Sequence, residues 1–135
     1  MKKRLRSIAW TLALFMALLS IPMAHATEVQ PRFTYLNNIS TSITFNANED
    51  AVCKAKVTTI TDYRVRVVFK LQKFTADSWV TLALWSDEAN YVAHIQGNYG
   101  VEPGNVYRVY TVAMILDDDG TVLESTIVTD TKRYL

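Results

Sequence analysis

Apolar and polar side chains alternate along most of the chain from Gln30 onward. This period of two is typical of a strand with one face in a core and the other in water. The clearest run follows Thr61-Asp62, and its apolar face consists of Tyr63, Val65, Val67, Phe69 and Leu71. A shorter run covers residues 52–59, with an apolar face of Cys53, Ala55 and Val57.

A long strand is predicted over residues 104–116, between a Pro-Gly turn and an acidic turn. Its predicted core face consists of Tyr107, Val109, Thr111, Ala113 and Ile115. Its opposite face is too apolar for open water, since it consists of Val106, Tyr110, Val112 and Met114 apart from Arg108. We therefore expect the function to depend on whatever covers that second face.

Residues 79–86 break the alternation, because both faces of the predicted strand are apolar. One face consists of Trp79, Thr81, Ala83 and Trp85, and the other of Val80, Leu82 and Leu84. A bulge, a covered sheet edge or an exposed apolar face would each explain this pattern.

The pattern as a whole predicts an all-β protein of about seven to eight short strands. The predicted strands cover residues 33–39, 43–45, 52–59, 63–72, 79–86, 91–96, 104–116 and 121–129. Turn signals separate them at fairly regular spacing, and no sustained helical period is present. This favours an antiparallel β-sandwich over a barrel.

The first 26 residues have the three parts of an export signal in the right order. A basic start (Lys2, Lys3, Arg4 and Arg6) precedes an apolar run over residues 8–21, and Ala24-His25-Ala26 is a small-x-small cleavage site. The apolar run is short for a membrane span. We expect cleavage after Ala26, a secreted or extracellular location, a single domain over residues 27–135 and no membrane span in the mature chain.

Removal of the signal makes the protein mildly acidic. The signal carries four of the 14 basic residues, which leaves ten against 13 acidic residues, a net charge of −3. The remaining basic residues are scattered, so nucleic acid is not an expected partner.

Cys53 is the single cysteine, so no internal disulfide is expected. A buried inert thiol is favoured over a disulfide between chains.

The segment 104–109 resembles the entry to the sixth strand of immunoglobulin-like sandwiches, where a tyrosine hydrogen-bonds back to the backbone as a tyrosine corner. The resemblance implies that role for Tyr107. Antibody-type domains have a disulfide here, but Val109 stands at one cysteine position, with Cys53 on the candidate second strand. The core tryptophan of the third strand is also missing. The resemblance therefore implies an immunoglobulin-like sandwich without the antibody disulfide.

A second resemblance covers most of the mature chain. The motifs are residues 30–36 directly after the signal, 71–73, Trp79 with Trp85, and 107–109. In this order they look like short, single-domain secreted proteins of Gram-positive Firmicutes, an uncharacterised family. The resemblance implies export, a bacterial source and the sandwich fold, and it implies no activity.

Few residues are available for catalysis, and we expect the protein not to be an enzyme. The mature chain has one histidine, His94, which would need a serine such as Ser86 or Ser125 for a triad, or Cys53 for a thiol pair. An acid pair of the glycosidase type would have to come from Asp87, Glu88 and Glu102. A small extracellular hydrolase using one of these sets is the alternative hypothesis.

Neither a metal nor a cofactor is expected. One cysteine and one histidine cannot by themselves complete a zinc site, and no glycine pattern for phosphate binding is present. Calcium is an alternative at Asp117, Asp118 and Asp119, but consecutive acids point in different directions, and turn geometry explains Asp119-Gly120.

Surface recognition is the remaining class of function. An aromatic set lies in the predicted strands and turns and consists of Trp79, Trp85, Tyr91, Tyr99 and Tyr110. These side chains would bind a protein or a carbohydrate at the cell surface, or they would fill the core. A structural or self-assembling role is a third hypothesis, favoured if the strand at 79–86 is exposed.

Overall fold

The computed structural model describes residues 32–135, and the predicted signal peptide lies outside them. The described residues form seven strands. These are β1 (Leu36–Phe45), β2 (Asp50–Thr59), β3 (Arg64–Thr75), β4 (Ser78–Asn90), β5 (Val92–Gly100), β6 (Val106–Leu116) and β7 (Val122–Arg133).

The strands pair into two antiparallel sheets that face each other. One sheet has three strands in the order β1-β2-β5, and the other has four in the order β4-β3-β6-β7. The prediction of an all-β, immunoglobulin-like sandwich is confirmed. The fourth strand pairs with the third, whereas in constant-type immunoglobulin domains it belongs to the opposite sheet.

The core lies between the inner faces that the alternation predicts. Every residue of the predicted core faces of β2, β3 and β6 is buried, apart from Tyr63, which precedes β3 and is partly buried. Cys53 lies in this core on β2, opposite Gly97 of β5.

Several predicted boundaries are wrong: β3, β4 and β7 each run three or four residues past the predicted end. Two further errors have a local reason. The pieces predicted at 33–39 and 43–45 belong to one strand, β1, which begins at Leu36. The irregularity between Leu36 and Asn38 shifts the register without ending the pairing. Residues 97–100, which resemble a turn, continue β5. Gly97 is needed there for space, since a Cβ at this position would lie 2.2 Å from the Trp85 ring.

The apolar alternation of β4 fails because the strand contains a bulge. Leu71 of β3 pairs with Ala83 and Gln72 pairs with Thr81, so Leu82 is the extra residue. The bulge reverses the side-chain direction along β4. Trp85 consequently points between the sheets, whereas Trp79 points away from them.

Tyr107 forms the predicted tyrosine corner. Its hydroxyl donates to the Glu102 carbonyl at 2.9 Å and accepts from the Glu102 N–H at 3.1 Å. The tyrosine therefore ties the β5–β6 connection to the core. Val109 and Cys53 both lie in the core, and Cys53 is a free thiol.

Carboxylates of β7 join the two sheets at their β1 side. Glu124 accepts from the backbone N–H groups of Thr34, Tyr35 and Leu36 at 2.7–3.0 Å. Partial desolvation raises the pKa of Glu124, but the three hydrogen bonds outweigh it and hold the pKa below its ordinary value. Asp130 accepts from the Ile43 N–H at 3.0 Å. These bonds satisfy the N–H groups of Leu36 and Ile43 in β1 and of the two residues that precede the strand.

Residues 32–135 contain no helix long and apolar enough to cross a membrane.

Candidate interaction surface

The structure separates the five aromatic residues that the sequence groups together. Trp79 and Tyr110 lie on the outer face of the four-stranded sheet, where the guanidinium of Arg108 is close to both rings. Trp85, Tyr91 and Tyr99 lie elsewhere. A single five-residue aromatic platform is therefore not present.

Trp85 belongs to the interior, because the bulge turns it toward the other sheet. Its ring lies 5.0 Å from the Phe69 ring and covers Gly97. Phe69 occupies the third strand, where antibody-type domains have their core tryptophan. Trp85 thus supplies from β4 the large ring that the third strand lacks.

Tyr91 and Tyr99 are exposed at separate places. Tyr91 lies between β4 and β5 with a positive φ of 69°, and its backbone bonds to Tyr63 and Thr59. Tyr99 lines a shallow pocket of about 240 Å³ with Lys73, Leu82 and Glu102 among its neighbours.

The outer face of the four-stranded sheet is largely apolar, and we call it the apolar outer face. Strand pairing places many apolar side chains on it. They include Val68, Phe74, Trp79, Leu84, Val106, Tyr110, Val112, Met114 and Ile127. Leu84 is 57% exposed, Ile127 54% and Phe74 43%. Within residues 32–135 no element covers this face.

The apolar outer face is also basic. Its strand positions carry five basic side chains and one acidic side chain, namely Arg64, Arg66, Lys70, Arg108, Arg133 and Glu88. Glu88 is held by Arg66 at 2.8 Å and by Arg64 at 3.3 Å. The face therefore has the opposite sign to the net charge of −3 for residues 27–135.

Arg108 is fixed at one end of this face. Its guanidinium carbon lies 4.1 Å from the ring centroid of Trp79 and 5.3 Å from that of Tyr110. Its Nε donates to Gln72 Oε1 at 2.8 Å, and Gln72 Nε2 donates to Thr81 Oγ1 at 3.1 Å. The terminal nitrogens of Arg108 make no hydrogen bond or ion pair with the described residues. They can therefore receive an anion.

The outer face of the three-stranded sheet has a different composition, and we call it the polar outer face. Its strand positions are mainly hydroxyl, amide and lysine side chains, with Val52 and Val92 as the apolar members. A pocket of about 220 Å³ lies on it, with Lys54, Lys56 and His94 in its lining.

The structure does not bring the candidate catalytic residues together. His94 lies on the polar outer face, and Ser86 and Ser125 lie on the apolar outer face, on the other side of the sandwich. Cys53 points into the core, and its burial raises the pKa of the thiol to about 12, so the thiolate is scarce at neutral pH.

The acid pair is not assembled either. Glu88 of β4 lies opposite Arg66 of β3. The Glu102 carbonyl accepts from the Tyr107 hydroxyl, and Tyr107 of β6 lies opposite Lys73 of β3. A separation of seven residues along β3, from Arg66 to Lys73, corresponds to roughly 20 Å or more. This exceeds the carboxyl spacing of glycosidases.

The acidic turn uses Asp117 internally. Asp117 Oδ1 accepts from the N–H groups of Asp119 and Thr121 at 3.0 and 2.8 Å, and Gly120 has a φ of 84°. Among the described residues, no group of three His, Cys, Asp or Glu side chains is arranged to hold a metal ion.

Arg108 and the buried Gln72 that holds it are the residues of this site that sequence reasoning missed. Each lies on the outer row of a strand, where a polar side chain is expected, so alternation gives no signal for either. The available signal was an arginine inside the unusually apolar outer row of β6.

Comparison with models of known protein families gives no match, and comparison with curated protein sequences gives none.

Proposed function

We propose that the protein is a secreted, non-catalytic binding module that holds its partner on the apolar outer face. The observation that carries this proposal is the exposure of Leu84, Ile127 and Phe74 on a sheet face with no covering element in residues 32–135. Large exposed apolar patches mark interaction sites. The basic and aromatic composition of the face is also typical of the centres of protein interfaces, where Arg, Trp and Tyr are enriched.

Paired glutamate substitutions test the proposal. Leu84→Glu with Ile127→Glu alters the apolar outer face, and Ser42→Glu with Val52→Glu adds the same charge to the polar outer face. Each form of the exported chain is immobilised and exposed to extracellular and cell-surface extracts of the producing organism. We expect the first pair to abolish partner retention and the second to leave it unchanged. Equal retention by both pairs would exclude the apolar outer face as the binding surface.

Self-assembly is the second candidate function, because the edge strand β4 carries no charge, proline or glycine from Ser78 to Ser86. Such edges pair readily with other strands. Sedimentation velocity over a wide concentration range tests it. A concentration-dependent dimer or larger species would support self-assembly, and a constant monomer would count against it.

The hydrolase alternative makes a different prediction from either binding hypothesis. It requires substrate turnover that saturates and that is lost on His94→Ala. Such turnover would overturn the proposal of a non-catalytic module.

A further inference from the structure

We infer that the partner on the apolar outer face is an acidic polypeptide segment in extended conformation, which pairs with the free edge of β4 and places a carboxylate on Arg108. This inference rests on the proposed function. It adds the chemical class of the partner and the way in which it is bound.

The charge of the surface indicates an acidic partner. Five basic side chains and one acidic side chain occupy the strand positions of the apolar outer face, and the terminal nitrogens of Arg108 have no partner among residues 32–135. The Trp79 and Tyr110 rings and the Gln72 amide hold this guanidinium in place. Ordering costs little when a charged group is already positioned, and a guanidinium binds a carboxylate through two parallel hydrogen bonds.

The β4 edge indicates a polypeptide. β4 is an outermost strand, and no backbone hydrogen bond joins its free edge to another strand within residues 32–135. An added strand would satisfy these N–H and C=O groups and extend the sheet. Trp79 belongs to this edge strand and lies under Arg108, so a glutamate on the added strand would be within reach of the guanidinium.

Three other occupants fit less well. A sugar ring stacks on an open aromatic face, but Arg108 already covers one face of Trp79 at 4.1 Å. A lipid bilayer would leave the edge backbone of β4 without hydrogen-bond partners in hydrocarbon. A second copy placed face to face would bring two basic surfaces together.

A synthetic peptide of alternating valine and glutamate, long enough to pair with β4, tests the inference. Its binding to the exported chain is measured by calorimetry, against the matched peptide of valine and lysine. We expect the glutamate peptide alone to bind. Arg108→Gln should weaken binding about tenfold or more, and Arg108→Lys should weaken it less. Lys56→Gln removes a charge from the polar outer face and should have no effect.

Equal binding of both peptides, or equal binding by Arg108→Gln and the unaltered chain, would overturn the inference. Leu84→Glu provides a second variant on an exposed position, where folding does not depend on the side chain. This substitution should weaken binding of the glutamate peptide and strengthen binding of the lysine peptide. The opposite changes in binding would overturn the inference.

Two further measurements identify the competing occupants. Binding to anionic phospholipid vesicles without binding to the glutamate peptide would overturn the inference in favour of a membrane. A dimer in sedimentation that is lost in Arg108→Gln would overturn it in favour of a second copy. If the peptide fails but extracts still supply a partner that depends on Leu84 and Ile127, the binding module remains and only the acidic partner is excluded.

Discussion

The two outer faces of this sandwich meet the same solvent but differ in chemistry. The face of β1-β2-β5 carries mainly hydroxyl, amide and lysine side chains. The face of β4-β3-β6-β7 carries aliphatic and aromatic side chains, with Leu84 and Ile127 more than half exposed. The buried apolar core residues lie on the inner faces of β1, β2, β3, β5 and β6.

This difference shows that folding alone does not account for the apolar outer face. The polar outer face demonstrates that a sheet in this protein can be stable with a hydrated outer surface. A sheet of this sandwich needs one apolar face to form the core, whereas the four-stranded sheet has two apolar faces. We propose that a binding partner accounts for the second.

The largest expected effect comes from comparing an inner with an outer side chain of adjacent strands. Phe69→Ala should lower the free energy of unfolding by about 3–5 kcal/mol, because Phe69 is fully buried. Leu84→Ala should change it by about 0.5 kcal/mol or less, because Leu84 is 57% exposed. Urea unfolding measures both. Similar losses would mean that the outer face contributes to folding, and the comparison would fail.

Two tyrosines of β6 give a matched pair on opposite faces. Tyr107→Phe removes both hydrogen bonds to the Glu102 backbone and should cost about 1–3 kcal/mol of unfolding free energy. Tyr110→Phe on the apolar outer face should have almost no effect on stability. Thermal and urea unfolding of the two variants measure this difference. The account would be contradicted by a larger cost at Tyr110.

Gly97 tests how β4 and β5 meet. Gly97→Ala places a Cβ 2.2 Å from the Trp85 ring and should cost about 1–3 kcal/mol. The cost should shrink when Trp85 is replaced by leucine, and a double-mutant cycle measures this coupling. Independent effects of the two substitutions would show that Trp85 does not pack on Gly97.

The smallest effect concerns Glu124 and depends on pH. Three backbone hydrogen bonds lower the pKa of Glu124 in the folded chain. Its contribution to stability is therefore complete at neutral pH and declines once the pH falls below the ordinary carboxyl pKa. It is lost as the pH falls through the lowered value. Glu124→Gln should be less stable than the unaltered chain at pH 7, and acidification should close the gap. A gap that does not change between neutral and acidic pH would contradict this role.

Alternation in the sequence predicts the inner faces correctly, because a period of two determines which side chains share a face. The entry motif likewise predicts the role of Tyr107. Trp85 shows where this reasoning ends: the bulge at Leu82 reverses the side-chain direction, and an apolar segment contains no signal for the position of a bulge. In the sequence Gly97 resembles a turn glycine. Its presence inside β5 is explained only by the Trp85 ring that packs on it.

The candidate surface is predicted only in part. The apolar outer row of β6 indicates an uncovered face, and Trp79 and Tyr110 do lie on it. The position of the Arg108 guanidinium close to both rings depends on two features. They are the pairing of β3 with β6 and the side-chain direction that the bulge gives to β4. Both are long-range features that local patterns do not contain.

Hydroxyl-radical footprinting provides the most direct test of the claim that a partner covers the apolar outer face. The protein is labelled once in the extracellular fraction of its producing cells, where we propose that it resides, and once after purification. We predict that Trp79, Leu84, Met114 and Ile127 are protected in the extracellular fraction and become reactive on purification, whereas His94 on the polar outer face reacts equally in both. Equal reactivity of the apolar outer face in the two samples, or protection at His94 instead, would contradict the account.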